Sequence, residues 1–393
     1  MRNFANKNKV VIRISTIVGF SIAVLAAIYC LKHAYIVTLN RDIYAFLDAS
    51  EYIFYIFLAG SIVLSGKYSF KQIIGLIIVG IVLTLGYLSS SYAALLKAFF
   101  IVIAVKELDF YNICQDIYKA LLIGTLAVLF MYSIGISDAG IGRRGFVSFG
   151  FVTPNVASYI VQTICFLKLY MMAKNQKYKR WSYFIYPILG VGVYFLLGSR
   201  NSAFIIAVAP YIVAVLSKIM ANRKRKIILV LMEMIPIICM FITMLTAVLY
   251  DKSRMVQRLN NLFSARIFLN YYNLKKYGIM LLGQKVAYSS DNYLYNPVTN
   301  QYSTFNTIDS SYMCLILQFG ICVMVIWIIS QMWLIHKLWS EEQYQLMAIT
   351  LLLFAFGLFE SSVLEFVIDF PIICLLAKRN SRNMEYEEIS RAS

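Results

Sequence analysis

The chain is a succession of long apolar runs that stops once, between Asp251 and Asp309. A helix needs about 20 apolar residues to cross the hydrocarbon of a bilayer. Runs approaching that length recur at 10–31, 52–64, 73–88, 92–105, 117–136, 154–173, 183–197, 203–217, 227–249, 310–335, 344–359 and 363–376. Barrel strands would alternate over about ten residues, whereas these runs are continuous. The pattern therefore predicts an all-α fold: a polytopic membrane helical bundle of about 12 transmembrane helices with one large extracytoplasmic loop. Composition agrees, because 61% of the 393 residues are hydrophobic and 14% charged. A soluble chain has about 45–50% and 25%.

Four stretches follow: nine spans over 1–250, a capping loop over 251–309, three more spans over 310–377 and a tail over 378–393. Met1 to Arg13 is basic and leads into a run of span length without a small-residue cleavage site, which predicts a retained first helix. Orientation comes from the short loops. Lys67 and Lys71, then Lys174, Lys177, Lys179 and Arg180, then Lys218 and Arg223 to Lys226 share one side with both ends of the chain. Positive loops face the cytoplasm, so both termini are predicted there and 251–309 outside. A net charge of +17 placed beside apolar runs speaks for topology and anionic headgroups, not nucleic acid. The seven cysteines and two histidines show no metal-ligand spacing, and neither metal nor cofactor is expected.

Basic residues on the outer side call for another reason. Arg200 stands in the tight turn Gly198-Ser199-Arg200-Asn201 between two apolar runs. It either snorkels to headgroups or faces a polar cavity, where its fork suits phosphate. Ser199 and Asn201 would add donors. Arg143-Arg144-Gly145 precedes Gly150-Phe151-Val152-Thr153-Pro154-Asn155, read as a helix start with proline in its first turn. Such an amino end, with Asn155 in it, offers free N–H groups to an anion. Leu259, Leu262, Phe263, Ile267 and Leu274 predict an amphipathic helix on the bundle, with Arg266 on its polar edge. Asp309 opens Asp309-Ser310-Ser311-Tyr312 at the mouth of a span, where it could serve as a general base or pair with one of the arginines, and Glu360 closes Gly357-Leu358-Phe359-Glu360. Acids so close to apolar runs are functional candidates; Glu360 could equally balance an arginine.

Taken in order, these segments carry a resemblance. Arg143-Arg144-Gly145 with Gly150 to Asn155, Gly198-Ser199-Arg200, Leu262-Phe263-Ser264-Ala265-Arg266 with Leu282-Gly283, Asp309-Ser310-Ser311-Tyr312 with Phe319-Gly320-Ile321, and Phe356 to Glu360 resemble the Wzy-type polysaccharide polymerases of the O-antigen ligase and polymerase superfamily. The likeness runs from about Arg143 to Glu360. It implies a metal-independent membrane glycosyltransferase acting on polyprenyl-diphosphate-linked oligosaccharide at the outer face of the bacterial cytoplasmic membrane. The product would be capsular, exo- or O-antigen polysaccharide, and a flippase and a chain-length regulator would be partners beside the membrane lipids. In that frame Arg143, Arg144, Arg200 and Arg266, with Asn155, are expected to bind the diphosphate. Asp309 is expected to act as base, Tyr288, Asn292, Tyr293 and Tyr312 to bind sugar, and Ser199 and Glu360 to support. Ligase relatives tend to carry a His-Asn pair near the place of Asp309-Ser310, and this chain has none there. The rival readings are a lipid-linked oligosaccharide flippase or other transporter, against which the missing internal repeat counts, and a ligase.

Overall fold

The computed structural model describes residues 2–65, 68–106, 108–138, 145–174, 181–222, 226–296 and 301–378, with backbone alone at 2–13, 65, 222, 289–296 and 301–306. The chain opens with α1 (Arg2–Lys32), α2 (Tyr35–Leu39), α3 (Arg41–Ser65), α4 (Phe70–Ser90), α5 (Ala94–Ala104) and α6 (Phe110–Ser133). It continues with α7 (Pro154–Lys174), α8 (Ser182–Leu197), α9 (Arg200–Asn222), α10 (Lys226–Glu233) and α11 (Ile235–Leu249). Then come α12 (Arg254–Leu262), α13 (Arg266–Tyr277), an antiparallel hairpin of β1 (Ser289–Asn296) and β2 (Gln301–Asn306), α14 (Ser311–Cys314), α15 (Ile321–Ser340) and α16 (Tyr344–Gly357). Among the described residues eight helices are long and apolar enough to cross a membrane, and three shorter apolar helices, α5, α8 and α16, accompany them. The protein is a polytopic helical bundle.

The core has a central post. In α16 every residue except Gln345 and Ala355 is buried, as an all-round apolar helix requires. The periphery is the opposite: α4 buries only Leu83, Gly86 and Ser90 and turns a row of isoleucines outward.

Two expectations change. The run 363–376 does not form a helix. It folds as two short 3-10 turns, Ser361–Leu364 and Phe370–Leu375. Pro371 has no N–H to give a helix interior. Non-helical backbone inside an apolar bundle must be enclosed by protein. This segment is: Val363, Val367, Ile368 and Ile373 are almost wholly buried, and it packs against α5, α6 and α15. Its end is tied down twice. The Lys337 ammonium donates to the carbonyls of Cys374, Leu375 and Ala377 at 2.8, 3.2 and 2.7 Å, and Lys378 pairs by its backbone with Asp109 at the start of α6.

The run 310–335, read as one span, is broken. A π turn over Leu315–Phe319 follows α14, Gly320 takes φ 85°, and α15 starts afresh. The segment around Gly283 crosses this break and satisfies the groups it exposes. Ile321 and Cys322 donate to the carbonyls of Met280 and Leu281, and Gln284 donates to Gln318, all at 3.0–3.1 Å. A Cβ on Gly283 would run into the backbone of Gln318 and Phe319, and one on Gly320 into that of Gly283 and Leu281, so the crossing needs two glycines. Gly320→Ala should cost about 2–4 kcal/mol and lower the unfolding temperature in detergent by roughly 2–5 °C. Gly75→Ala, where a Cβ meets nothing within 4 Å, is the control and should not lower it.

Candidate functional site

At the end of the bundle where α7 and α9 begin and α16 stops lies a cavity of about 390 Å³. Its polar lining includes Asn155, Ser199, Arg200, Asn201, Arg266, Thr307, Asp309 and Glu360, and its apolar lining Phe146, Leu197, Leu262, Phe263 and Phe359. Residues 155, 200, 266, 309 and 360, far apart in sequence, therefore share one concavity.

Each is delivered by local structure. The chain before α7 is pinned to the end of α1 by an antiparallel bridge between Ala34 and Phe151. The Thr153 hydroxyl then accepts from Val156 N–H at 3.3 Å and caps α7. The turn before α9 closes on Gly198, φ 65°, where the Phe146 ring occupies the space a Cβ would need. Arg200 is thus the first residue of α9. The amphipathic helix expected around Arg266 is in fact two helices. Ser264 and Ala265 both adopt left-handed backbone, φ 55° and 67°, and Arg266 becomes the first residue of α13 instead of sitting on a polar edge. Buried Asn260, in α12, holds this turn: its side-chain Oδ1 accepts from Phe268 N–H at 2.8 Å. Tyr250, Val256, Ile267, Phe268 and Tyr271 form a small separate core that seats α12 and α13 on the end of α11.

The acids are placed by a clasp. The last carbonyls of α16 have no helical partner, and three hydroxyls from the α14 segment meet this end. Tyr312 donates to the Phe354 carbonyl at 2.9 Å, Ser310 to Gly357 at 3.4 Å and Ser311 to Glu360 at 2.6 Å. From the other side Asn273 of α13 donates to the Thr307 carbonyl at 3.2 Å. Asp309 and Glu360 are thereby set beside Arg266. Arg266 Nη2 lies 2.7 Å from Glu360 Oε1 and Arg266 Nε 3.4 Å from Asp309 Oδ2. Burial works against the Arg266 charge, but Glu360 and then Asp309 hold its pKa above the ordinary value. Burial pushes the Glu360 carboxyl up, and Arg266 draws it only partly back. Asn201 Nδ2 approaches Glu360 Oε1 at 3.5 Å.

Arg200 differs. It is exposed, lines the same cavity, and has no ion pair with any described carboxylate. The formal side-chain charges of the lining cancel. Helix ends balance too: α7, α9 and α13 begin at the cavity, and α8, α12 and α16 end at it, each end carrying about half a charge of its own sign.

Other expected site residues stand elsewhere. Arg143 and Arg144 lie outside the described residues, and the side chains of Asn292 and Tyr293, on β1, do as well. Tyr288 does not line the cavity; its hydroxyl donates to Gln318 Oε1 at 2.9 Å beside the π turn. Tyr312 is fully buried and its hydroxyl is used on α16, so it offers no sugar a face. Thr307, Asn260 and Asn273 escaped sequence reasoning. Asn260 is a residue type that caps helices, but it sits inside the preceding helix, where no cap signal is sought. No group of His, Cys, Asp and Glu among the described residues has the arrangement of a metal site. No protein-family model, curated protein or solved structure matches the chain.

Removing one member of a buried ion pair costs about 3–5 kcal/mol, because the other charge stays behind. Arg266→Ala should therefore destabilise by that amount in thermal unfolding. Adding Glu360→Gln to Arg266→Ala should recover more than half of it. If the double variant is as unstable as the single one, the cost lies in lost packing and not in the stranded carboxylate.

Proposed function

We propose that the protein is a membrane glycosyltransferase of polysaccharide-polymerase type, joining polyprenyl-diphosphate-linked oligosaccharide units on the outer face of the bacterial cytoplasmic membrane. The observation that carries this reading is the meeting of Arg200 and Arg266, each the first residue of a helix, in one cavity with two carboxylates at the end of an apolar bundle. Guanidinium groups and helix amino ends both favour a diphosphate. In a water-poor site they would neutralise the charge that grows on it as the sugar–phosphate bond breaks. Direct attack by an acceptor hydroxyl would invert the anomeric carbon, with a carboxylate of the same cavity taking the proton.

The topology that goes with this function has twelve crossings. Eleven are helical, counting α10 with α11 as one and α14 with α15 as one, and the twelfth is the enclosed segment 363–376. Lys174, Lys218, Lys226 and Lys378 then share one side with both termini, and the positive-inside tendency makes that side cytoplasmic. The cavity and the segment 251–309 lie at the other, outer end.

Arg200, with no carboxylate partner among the described residues, is free to receive the anion, whereas Arg266 must be shared with it. Arg200→Ala should shorten envelope polysaccharide to single units and cut turnover about 10²–10³-fold. Arg200→Lys keeps the charge without the fork and should fall in between. Analysis of lipid-linked products and polymer length in cells lacking the protein checks the class. A polymerase leaves single units on lipid outside, a flippase traps them inside, and a ligase leaves full-length chains unattached. Either of the last two outcomes sinks the polymerase assignment.

A further inference from the structure

Two carboxylates face the cavity, and they are not equivalent. Asp309 is one-third exposed on a connecting segment, and among the described residues its ion-pair partner is Arg266, whose Nε lies 3.4 Å away. Glu360 is held on all sides. Its N–H donates to the Phe356 carbonyl at 3.0 Å, and its own carbonyl accepts from Ser311 at 2.6 Å. Its Oε1 takes Arg266 Nη2 at 2.7 Å and Asn201 Nδ2 at 3.5 Å. Only 14% of its side chain is exposed. Among the described residues no hydrogen bond reaches Oε2, and Glu360 lines the cavity. One oxygen is anchored while the other is left to the cavity: the geometry a positioned base needs.

Resting on the glycosyl-transfer reading above, we infer that Glu360, and not Asp309, is the catalytic base that takes the proton of the acceptor hydroxyl. The acceptor O–H bond breaks toward Glu360 Oε2. The freed electron pair forms the new C–O bond at the anomeric carbon of the donor. The bond from that carbon to the phosphate oxygen breaks, and its electrons leave with the diphosphate held by Arg200 and Arg266. The proton then passes from Glu360 to water at the cavity mouth. Asp309 is a positioning residue that keeps Arg266 in place while its guanidinium is shared with the diphosphate.

Basicity agrees with this division, since burial raises the Glu360 carboxyl above its ordinary value. The charged or titratable groups facing Glu360 are Arg266 of α13, Asp309 ahead of α14 and Tyr159 of α7, with Asn201 of α9 a neutral donor. A base must be unprotonated, so turnover should fall as pH drops through the Glu360 pKa. That acid limb should lie above the carboxylate range of about 4.3.

The test uses the full protein in lipid nanodiscs and, as probe, lipid-linked oligosaccharide extracted from cells lacking it. Glu360→Gln should lower kcat about 10²–10³-fold with little change in KM. Asp309→Asn should lower kcat roughly tenfold, by loosening Arg266, and keep the acid limb. Glu360→Asp should retain part of the activity, and it decides the matter should Glu360→Gln fail to fold. Glu360→Gln or Glu360→Asp at wild-type kcat would overturn the inference, and so would Asp309→Asn losing as much as Glu360→Gln together with the acid limb. In each of those cases the wild type still elongates the probe, so the glycosyl-transfer reading survives. A wild type that binds the probe but never elongates it removes both.

Discussion

A guanidinium shared between two carboxylates at the rim of an apolar bundle is the interaction around which the rest is arranged. Arg266 reaches Glu360 at 2.7 Å and Asp309 at 3.4 Å, and through them three separate pieces of chain are joined. These are the start of α13, the approach to α14 and the turn after α16. An ion cluster of this kind is an expensive way to hold helices together. Apolar residues of similar volume often stabilise as well or better, because burying charge costs several kcal/mol per ion before pairing returns it. What the charges add is a fixed direction for two carboxylates and a cation that an arriving anion can share.

The position of the cavity follows from where a helical bundle leaves backbone groups unsatisfied. Along its length each helix satisfies its own N–H and C=O groups; only the ends have orphans. Three amino ends, of α7, α9 and α13, and three carboxyl ends, of α8, α12 and α16, meet at this place. The carboxyl end of α16 is closed by the hydroxyls of Ser310, Ser311 and Tyr312. What the lining offers an anion is the exposed Arg200 guanidinium, which no described carboxylate holds. The same need for backbone partners accounts for the crossing at Gly283 and Gly320, where a loop supplies the acceptors that α15 lacks. It accounts as well for Lys337, whose ammonium closes three carbonyls of the irregular C-terminal segment.

Much of the cavity was legible as a set of residue types, and less of it as geometry. Arg200 stood out because arginine close to apolar runs is costly, as did the acids Asp309 and Glu360 beside such runs; Arg266 stood out as the basic edge of an amphipathic stretch. Tyr312 and Tyr288 stand apart from the cavity. Tyr312 lies next to Asp309 in sequence, yet its ring points into the core and its hydroxyl serves α16. Tyr288 is drawn to Gln318. A phenol can close a buried carbonyl as readily as it can meet a sugar, and residue type alone does not tell the two apart. Segment 363–376 departs from expectation in another way. Its hydropathy is that of a span, while Pro371 interrupts a helix, and only enclosure by α5, α6 and α15 makes its irregular backbone tolerable.

The sequence by itself determined the class of fold, since continuous apolar runs can satisfy their backbone in lipid only as helices. It also determined which side chains are too costly to sit near a membrane without a reason. Only the tertiary structure decided which of those side chains meet. Helix ends far apart along the chain were brought to one cavity by packing around α16, and two left-handed residues turned Arg266 from the side of a helix to its first position. Periodicity reports which face of an element is apolar. It holds no information on which other element that face will touch, and the pairing of Arg266 with Glu360 exists only through that contact.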